Sequence, residues 1–379
     1  MTATSDVTAA PALDMGVVPD VVLPGTPGLP LPVTPGVVLP AEPAIERELA
    51  PERRVSRRGL AAVGGVVLSG AVVAIGAAHT QSFLPETIRP VLPALAGAFG
   101  SLFLNLHVGG AIAALVLMFV SYAAVVALAG QLSARVVVMA IVIVHAVVLL
   151  GPPLASTDIF SYQAYARMGA TYGINPYTHS PYAINLDGVF PYIGAKWSTT
   201  TPSAYGPVFT VATYLLAPLT IAASVFAYKS IAALASLALV AVVWRCARLR
   251  GLDPVKAAAL VGLNPLLLIY GVGGGHNDLL MLLAMTGGVY AVLASRQWVG
   301  GGLSIVAIGI KLTAGLVLPF ALAAPGVGGA DSRTKGGRGR LALGAAVGLA
   351  ALAVLSFGVF GTGSFRMLGT VIKSQSEGS

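Results

Sequence analysis

Residues 57–78 read Arg57-Arg58-Gly59-Leu60-Ala61-Ala62-Val63-Gly64-Gly65-Val66-Val67-Leu68-Ser69-Gly70-Ala71-Val72-Val73-Ala74-Ile75-Gly76-Ala77-Ala78, with no charge after the arginine pair. About 20 apolar residues cross a hydrocarbon layer of roughly 30 Å as a helix. The run therefore predicts a membrane span over Leu60–Ala78. It starts too far from residue 1 to be a secretory leader, and Arg53, Arg54, Arg57 and Arg58 precede or open it. That basic flank predicts an uncleaved helix with its N-terminus in the cytoplasm. Comparable runs at 104–128, 135–151, 225–244, 256–272, 279–295 and 341–360 extend the reading to an all-α, polytopic integral membrane bundle.

Composition points the same way. Of 379 residues, 56% are hydrophobic and only 9% charged, against about 25% charged in a soluble domain. This excludes an ordinary cytosolic enzyme and a nucleic-acid-binding module, and no nucleic-acid partner is expected. The net charge of +8 fits lysines and arginines gathered in cytoplasmic loops. Residues 1–51 hold 10 of the 25 prolines with no apolar periodicity. Residues 1–58 therefore predict a disordered cytoplasmic tail, followed by a membrane domain over 59–379. Beyond the tail only seven acids occur: Glu86, Asp158, Asp187, Asp253, Asp278, Asp331 and Glu377. The single Cys246 excludes an intrachain disulfide and a multi-cysteine metal site.

Two stretches fit no simple span. Residues 206–223 are interrupted by Pro218, and 299–324 carry Lys311 near the middle. The basic clusters Arg245, Arg248, Arg250, Lys256 and Arg333, Lys335, Arg338, Arg340 both belong on the cytoplasmic side. Counting from a cytoplasmic N-terminus, 206–223 must cross zero or two times, and 299–324 must be a hairpin of two short arms meeting at Lys311. Broken backbone at membrane depth is tolerated where it lines a cavity. The same count puts 152–205 outside the cytoplasm. This long loop carries seven of the 12 tyrosines, which argues for function rather than disorder. Its start predicts a short helix, with Ser156 as N-cap and Gly169 as stop. Asp158, Tyr162 and Tyr165 share one face, and the helix is expected to lie along the membrane surface.

Asp158 directly follows a span, in the first turn of that helix, where the dipole favours the carboxylate. It is either a base able to accept a proton from a hydroxyl or a cap. Gly271-Val272-Gly273-Gly274-Gly275-His276-Asn277-Asp278 is either a tight turn capped by Asp278 or a ligand site. Three consecutive polar groups beside apolar spans favour the site. Lys311 either snorkels to the surface or neutralises an anion, for which a phosphate is the natural candidate. Arg167 and Lys196 of the outer loop are its candidate helpers. His79, His107 and His145 read as structural. No phosphate loop, strand–glycine–helix unit or Asp-x-Asp pair occurs, so a nucleotide donor is not expected.

Ser156-Thr157-Asp158-Ile159-Phe160-Ser161-Tyr162, Gly173-Ile174-Asn175-Pro176-Tyr177, Tyr205-Gly206-Pro207, Asn264-Pro265-Leu266, Gly275-His276-Asn277-Asp278 and Lys311-Leu312-Thr313 follow in that order. Together they resemble the GT-C-fold membrane glycosyltransferases, and among these the actinobacterial polyprenyl-phosphate-mannose-dependent α(1→6)-mannosyltransferases of lipomannan synthesis. The resemblance covers roughly 59–360. It implies a polyprenyl-phosphate-mannose donor, a mannan glycolipid acceptor, and an active site on the outer face of the plasma membrane. It implies inversion at the anomeric carbon, with Asp158 as catalytic base. Lys311, Arg167 and Lys196 would meet the donor phosphate. Tyr162, Tyr165, Asn175, Tyr177, Tyr205, His276, Asn277 and Asp278 would line the sugar and acceptor cleft. A divalent metal is compatible but not required. Family members continue through further spans, so the resemblance also implies a chain incomplete at its C-terminus. The competing class is a transporter or flippase for a lipid-linked sugar, favoured by the broken helices and by Lys311.

Overall fold

The computed structural model describes residues 56–78, 93–102, 104, 106–194, 199–323, 337–366 and 369. The proline-rich tail, apart from its last residues, lies outside this set, as do His79, Lys196, Arg333 and Lys335. No strand occurs among the described residues. The helices are α1 (Arg57–Ala77), α2 (Val108–Leu128), α3 (Ala134–Leu150), α4 (Asp158–Ala170), α5 (Pro207–Thr213), α6 (Ile221–Leu249), α7 (Pro254–Gly262), α8 (Asp278–Leu293), α9 (Gln297–Ile310), α10 (Val317–Ala323) and α11 (Gly337–Phe360), with a π-helix at Leu267–Gly273. The chain is an all-α polytopic membrane protein. Among the described residues, four helical stretches are long and apolar enough to cross a membrane, beginning at Arg57, Val108, Ile221 and Gly337. The pair α7 and the π-helix makes a fifth, bent by 58°.

Capping explains several boundaries. The Ser56 hydroxyl accepts from Gly59 N, Ser133 from Val136 N and Thr220 from Ala223 N. Asp253 accepts from Val255 N and Lys256 N ahead of Pro254. Each satisfies amides that have no intrahelical partner. After α7, Pro265 removes a donor, and Asn264 Oδ1 accepts from Leu266 N at 2.9 Å, so the span breaks into the π-helix.

One continuous apolar core joins α1, α2, α3, α7 and the middle of α6, including Met118, Val144, Val148 and Leu263. A second, more aromatic core lies under the long loop that follows α3. It gathers Phe160, Tyr162, Tyr165 and Met168 of α4 with Tyr192, Phe209, Tyr228 and Ile310. Here the structure departs from expectation. Nine of the 13 residues of α4 are buried, so the helix is wrapped on nearly all sides rather than laid on a surface. Its N-cap is Thr157, with Ser156 Oγ accepting from Asp158 N at 3.1 Å. Gly169 is no stop, because the helix continues to Ala170; a side chain at Gly169 would collide with the Tyr214 ring.

The break at Lys311 is present. Lys311 is extended (φ −150°, ψ 125°) and ends α9; a 3₁₀ turn (Leu312–Leu316) and α10 follow. Residues 206–223 form α5, the 3₁₀ turn Tyr214–Leu216 and the first turn of α6, not one span.

Candidate active site

Three separate segments meet at the end of α3. The first is the α3–α4 connector, Gly151–Thr157, which delivers Asp158. The second is the glycine loop after the π-helix, which delivers His276, Asn277 and Asp278. The two are docked backbone to backbone, with Leu154 N donating to Gly273 O at 3.0 Å. Gly275 adopts φ +62° and lies against Ile159, where a Cβ would find no room; both conditions favour glycine. The third segment is the break at Lys311. It is tied to the Tyr205-Gly206-Pro207 turn by Gly206 N donating to Ile310 O at 3.0 Å. A side chain on Gly206 would strike the Gly309 carbonyl. The physical content of three of the sequence motifs is therefore mutual docking.

At the meeting point Lys311 Nζ donates to both oxygens of Asp278, at 2.7 and 2.9 Å. His276 Nδ1 lies 3.6 Å from Asp158 Oδ2 and 3.7 Å from Asp278 Oδ2. These separations exceed hydrogen bonds, and such contacts in unliganded sites commonly tighten when substrate binds. The exposures differ usefully. Asp158, Asp278 and Lys311 are 29%, 32% and 31% exposed, while His276 is 1% exposed. The charged ends thus reach solvent, and the imidazole backs them from inside. Burial draws the His276 imidazole below its usual pKa, against the opposing pull of Asp158 and Asp278. It is neutral at neutral pH, with one N–H to share. Tyr270 stacks on it, with ring centroids 4.0 Å apart.

Aromatic residues line the Asp158 side. Tyr205 stands close enough to Asp158 to feel its charge. Burial first, and the carboxylate second, raise Tyr205 and Tyr162 well above the usual tyrosine pKa, so both remain donors. Tyr162 OH donates to Asn277 Oδ1 at 3.3 Å, and its ring meets Tyr205 and Phe209 edge-on at 4.8 and 4.9 Å. Tyr165 OH donates to Thr201 O at 3.0 Å. Asn277 Nδ2 and His276 Nε2 are buried with no hydrogen-bond partner among the described residues.

The structure brings Asp158, Tyr162, Tyr165, Tyr205, His276, Asn277, Asp278 and Lys311 together. It does not bring Arg167, Asn175 or Tyr177 into the cluster. Arg167 is instead paired with Asp187 at 2.8 Å and donates to Leu219 O at 2.9 Å. Asp187 also accepts from Tyr172 OH and Val189 N. An opposite charge and a backbone carbonyl close to hand outcompete a distant role for the guanidinium. Asn175 donates to Phe360 O at 2.8 Å, and Tyr177 OH donates to Tyr205 O at 2.8 Å. Both stand one layer behind the cluster, against the end of α11. Lys196 lies outside the described residues. Two residues that sequence reasoning missed are Tyr270 and Lys229; the latter is buried in α6, with Nζ donating to Gly151 O and Pro152 O. No group of three or more His, Cys, Asp or Glu side chains suited to a metal occurs among the described residues.

The family described as alpha-(1->6)-mannopyranosyltransferase, N-terminal domain, matches residues 57–326. The chain belongs to this family. Among curated relatives, alpha-(1->6)-mannopyranosyltransferase A of Mycobacterium tuberculosis is 33% identical over 197 residues, 51% of this chain and 37% of the relative. The protein of the same name from Corynebacterium glutamicum is 30% identical over 179 residues, 45% of this chain and 35% of the relative. The chain thus spans little more than a third of the length of these relatives. No solved structure matches it. The family match takes in Asp158, the glycine loop and Lys311, so the whole cluster lies within the family's N-terminal domain.

Proposed function

We propose that the cluster transfers mannose from polyprenyl-phosphate-mannose to a hydroxyl of an α(1→6)-mannan glycolipid, inverting the anomeric carbon. The observation that carries this reading is the convergence of Asp158, His276, Asp278 and Lys311 at one partly open point in a chain of this family.

The chemistry needs a base beside the incoming hydroxyl and a positive charge beside the departing phosphate. Asp158 accepts the hydroxyl proton as the acceptor oxygen bonds to the anomeric carbon. The bond from that carbon to the phosphate oxygen breaks, and its electron pair leaves with the lipid phosphate. Lys311 neutralises the departing anion, with Asp278 holding the ammonium in place. Neutral His276 offers its Nδ1–H between the two carboxylates and keeps them apart. The scheme does not require a metal, because Lys311 supplies the charge.

Orientation supports an extracytoplasmic site. Ser56 N donates to Gln131 O at 3.2 Å, so the start of α1, with Arg57 and Arg58, lies beside the start of α3, with Arg135. A groove between α3 and α6 runs from Val138 to Arg245, which puts the basic end of α6 on that same side. The site lies at the far end of α3. By the positive-inside rule the arginine end is cytoplasmic, and the site faces outward at the plasma membrane.

The test uses membranes holding the full chain, labelled polyprenyl-phosphate-mannose and a short α(1→6)-mannan acceptor. Wild type is expected to form labelled, longer mannan, and Asp158→Asn to form almost none. Movement of the lipid between leaflets without transfer by wild type would replace this reading with that of a flippase.

A further inference from the structure

Lys229 sits in the apolar helix α6 with 1% of its surface exposed. A buried ion costs several kcal/mol unless well paired, and an aliphatic side chain would fill an apolar span at no such cost. Its ammonium has chosen partners. Nζ donates to Gly151 O and to Pro152 O, at 2.5 and 2.8 Å. These carbonyls follow the end of α3, where helix geometry leaves acceptors unpaired and the dipole is negative.

What they belong to matters more. Gly151 and Pro152 begin the connector that ends at Asp158. Within it Ala155 holds φ +60°, a left-handed conformation rare outside glycine that is strained and persists only when its surroundings enforce it. Ser156 N donates to Leu154 O at 2.8 Å, and Leu154 N to Gly273 O. The stem of Lys229 also packs toward Gly275, where an added Cβ would lie 3.5 Å from Lys229 Cγ. One side chain therefore bonds the connector carrying Asp158 and lies beside the bare face of Gly275, in the loop carrying His276 and Asp278.

We infer that Lys229 is a positioning residue, a buried ammonium clamp that holds the Asp158 connector against the His276–Asp278 loop; this rests on the transfer reading above. Lys229 touches no substrate. It acts by fixing where the Asp158 carboxylate stands relative to Lys311 and His276.

The test compares full-length wild type, Lys229→Met and Lys229→Gln in lipid nanodiscs. Readouts are kcat and KM for the mannosyl donor, thermal unfolding, and hydrogen exchange at the amides of 154–160. The clamp lowers kcat by about tenfold to a hundredfold, leaves KM for the donor nearly unchanged, and speeds exchange at 154–160 before the rest of the bundle. Gln, which keeps one donor, is milder than Met. Unchanged kcat and exchange in either folded variant overturns the inference. So does exchange that rises uniformly, or failure of both variants to fold, since either makes Lys229 a general folding residue. A wild type without transfer defeats the functional reading instead, and the exchange pattern still decides the clamp.

Discussion

The core of α1, α2, α3 and α7 and the end of the bundle around Asp158 are built by opposite means. In the first, many small apolar contacts share the load, as around Met118, Val125 and Val144, each with no exposed surface. In the second, a few directional bonds fix charged groups left about one-third exposed. A region held by many weak contacts loses stability when one is removed. A region held by a few bonds loses function while the fold persists.

Substitutions in the two regions should therefore fail in different ways. Lys311→Met is expected to lower mannosyl transfer by about a hundredfold or more with little change in thermal unfolding, because Asp278 remains partly solvated. Met118→Ala should do the reverse. It leaves a cavity costing about 2 kcal/mol or more, seen as a lower unfolding midpoint in detergent, with the rate per folded molecule unchanged. Gly206→Val tests the join between the regions. Its side chain would strike the Gly309 carbonyl and shift Lys311, for about a tenfold loss of kcat. Tyr162→Phe removes the hydroxyl that donates to Asn277 Oδ1 and accepts from Asn277 N, and should cost about 1 kcal/mol of stability with a few-fold loss of rate.

The smallest effect concerns pH. Burial lowers the His276 pKa in the folded chain, so below about pH 6.5 the unfolded chain binds the proton more readily. Stability should fall as pH drops through that range. His276→Gln should remove part of the slope when unfolding is followed between neutral and mildly acidic pH.

The spans were legible because an apolar run of about 20 residues has few other uses. Asp158, the His276-Asn277-Asp278 triplet and Lys311 were legible because ionisable groups are costly beside such runs. Lys229 was not. Its partners are backbone carbonyls, which leave no mark in a sequence, and its neighbours in α6 read as an ordinary span. The Arg167–Asp187 pair joins residues 20 apart across an irregular loop, a spacing that no helical or strand period favours. The wheel of α4 grouped Asp158, Tyr162 and Tyr165 correctly, but it could not show that Ile159, Phe160 and Met168 also find partners.

Whether residues from three separate segments act as one site is decided by a double-mutant cycle. Transfer rates would be measured for Asp158→Asn, Lys311→Met and the pair in the full chain. Residues acting as a unit give losses far from additive, so the double variant should be about as slow as the slower single one. Losses that multiply, or either single variant keeping the wild-type rate, would contradict the account.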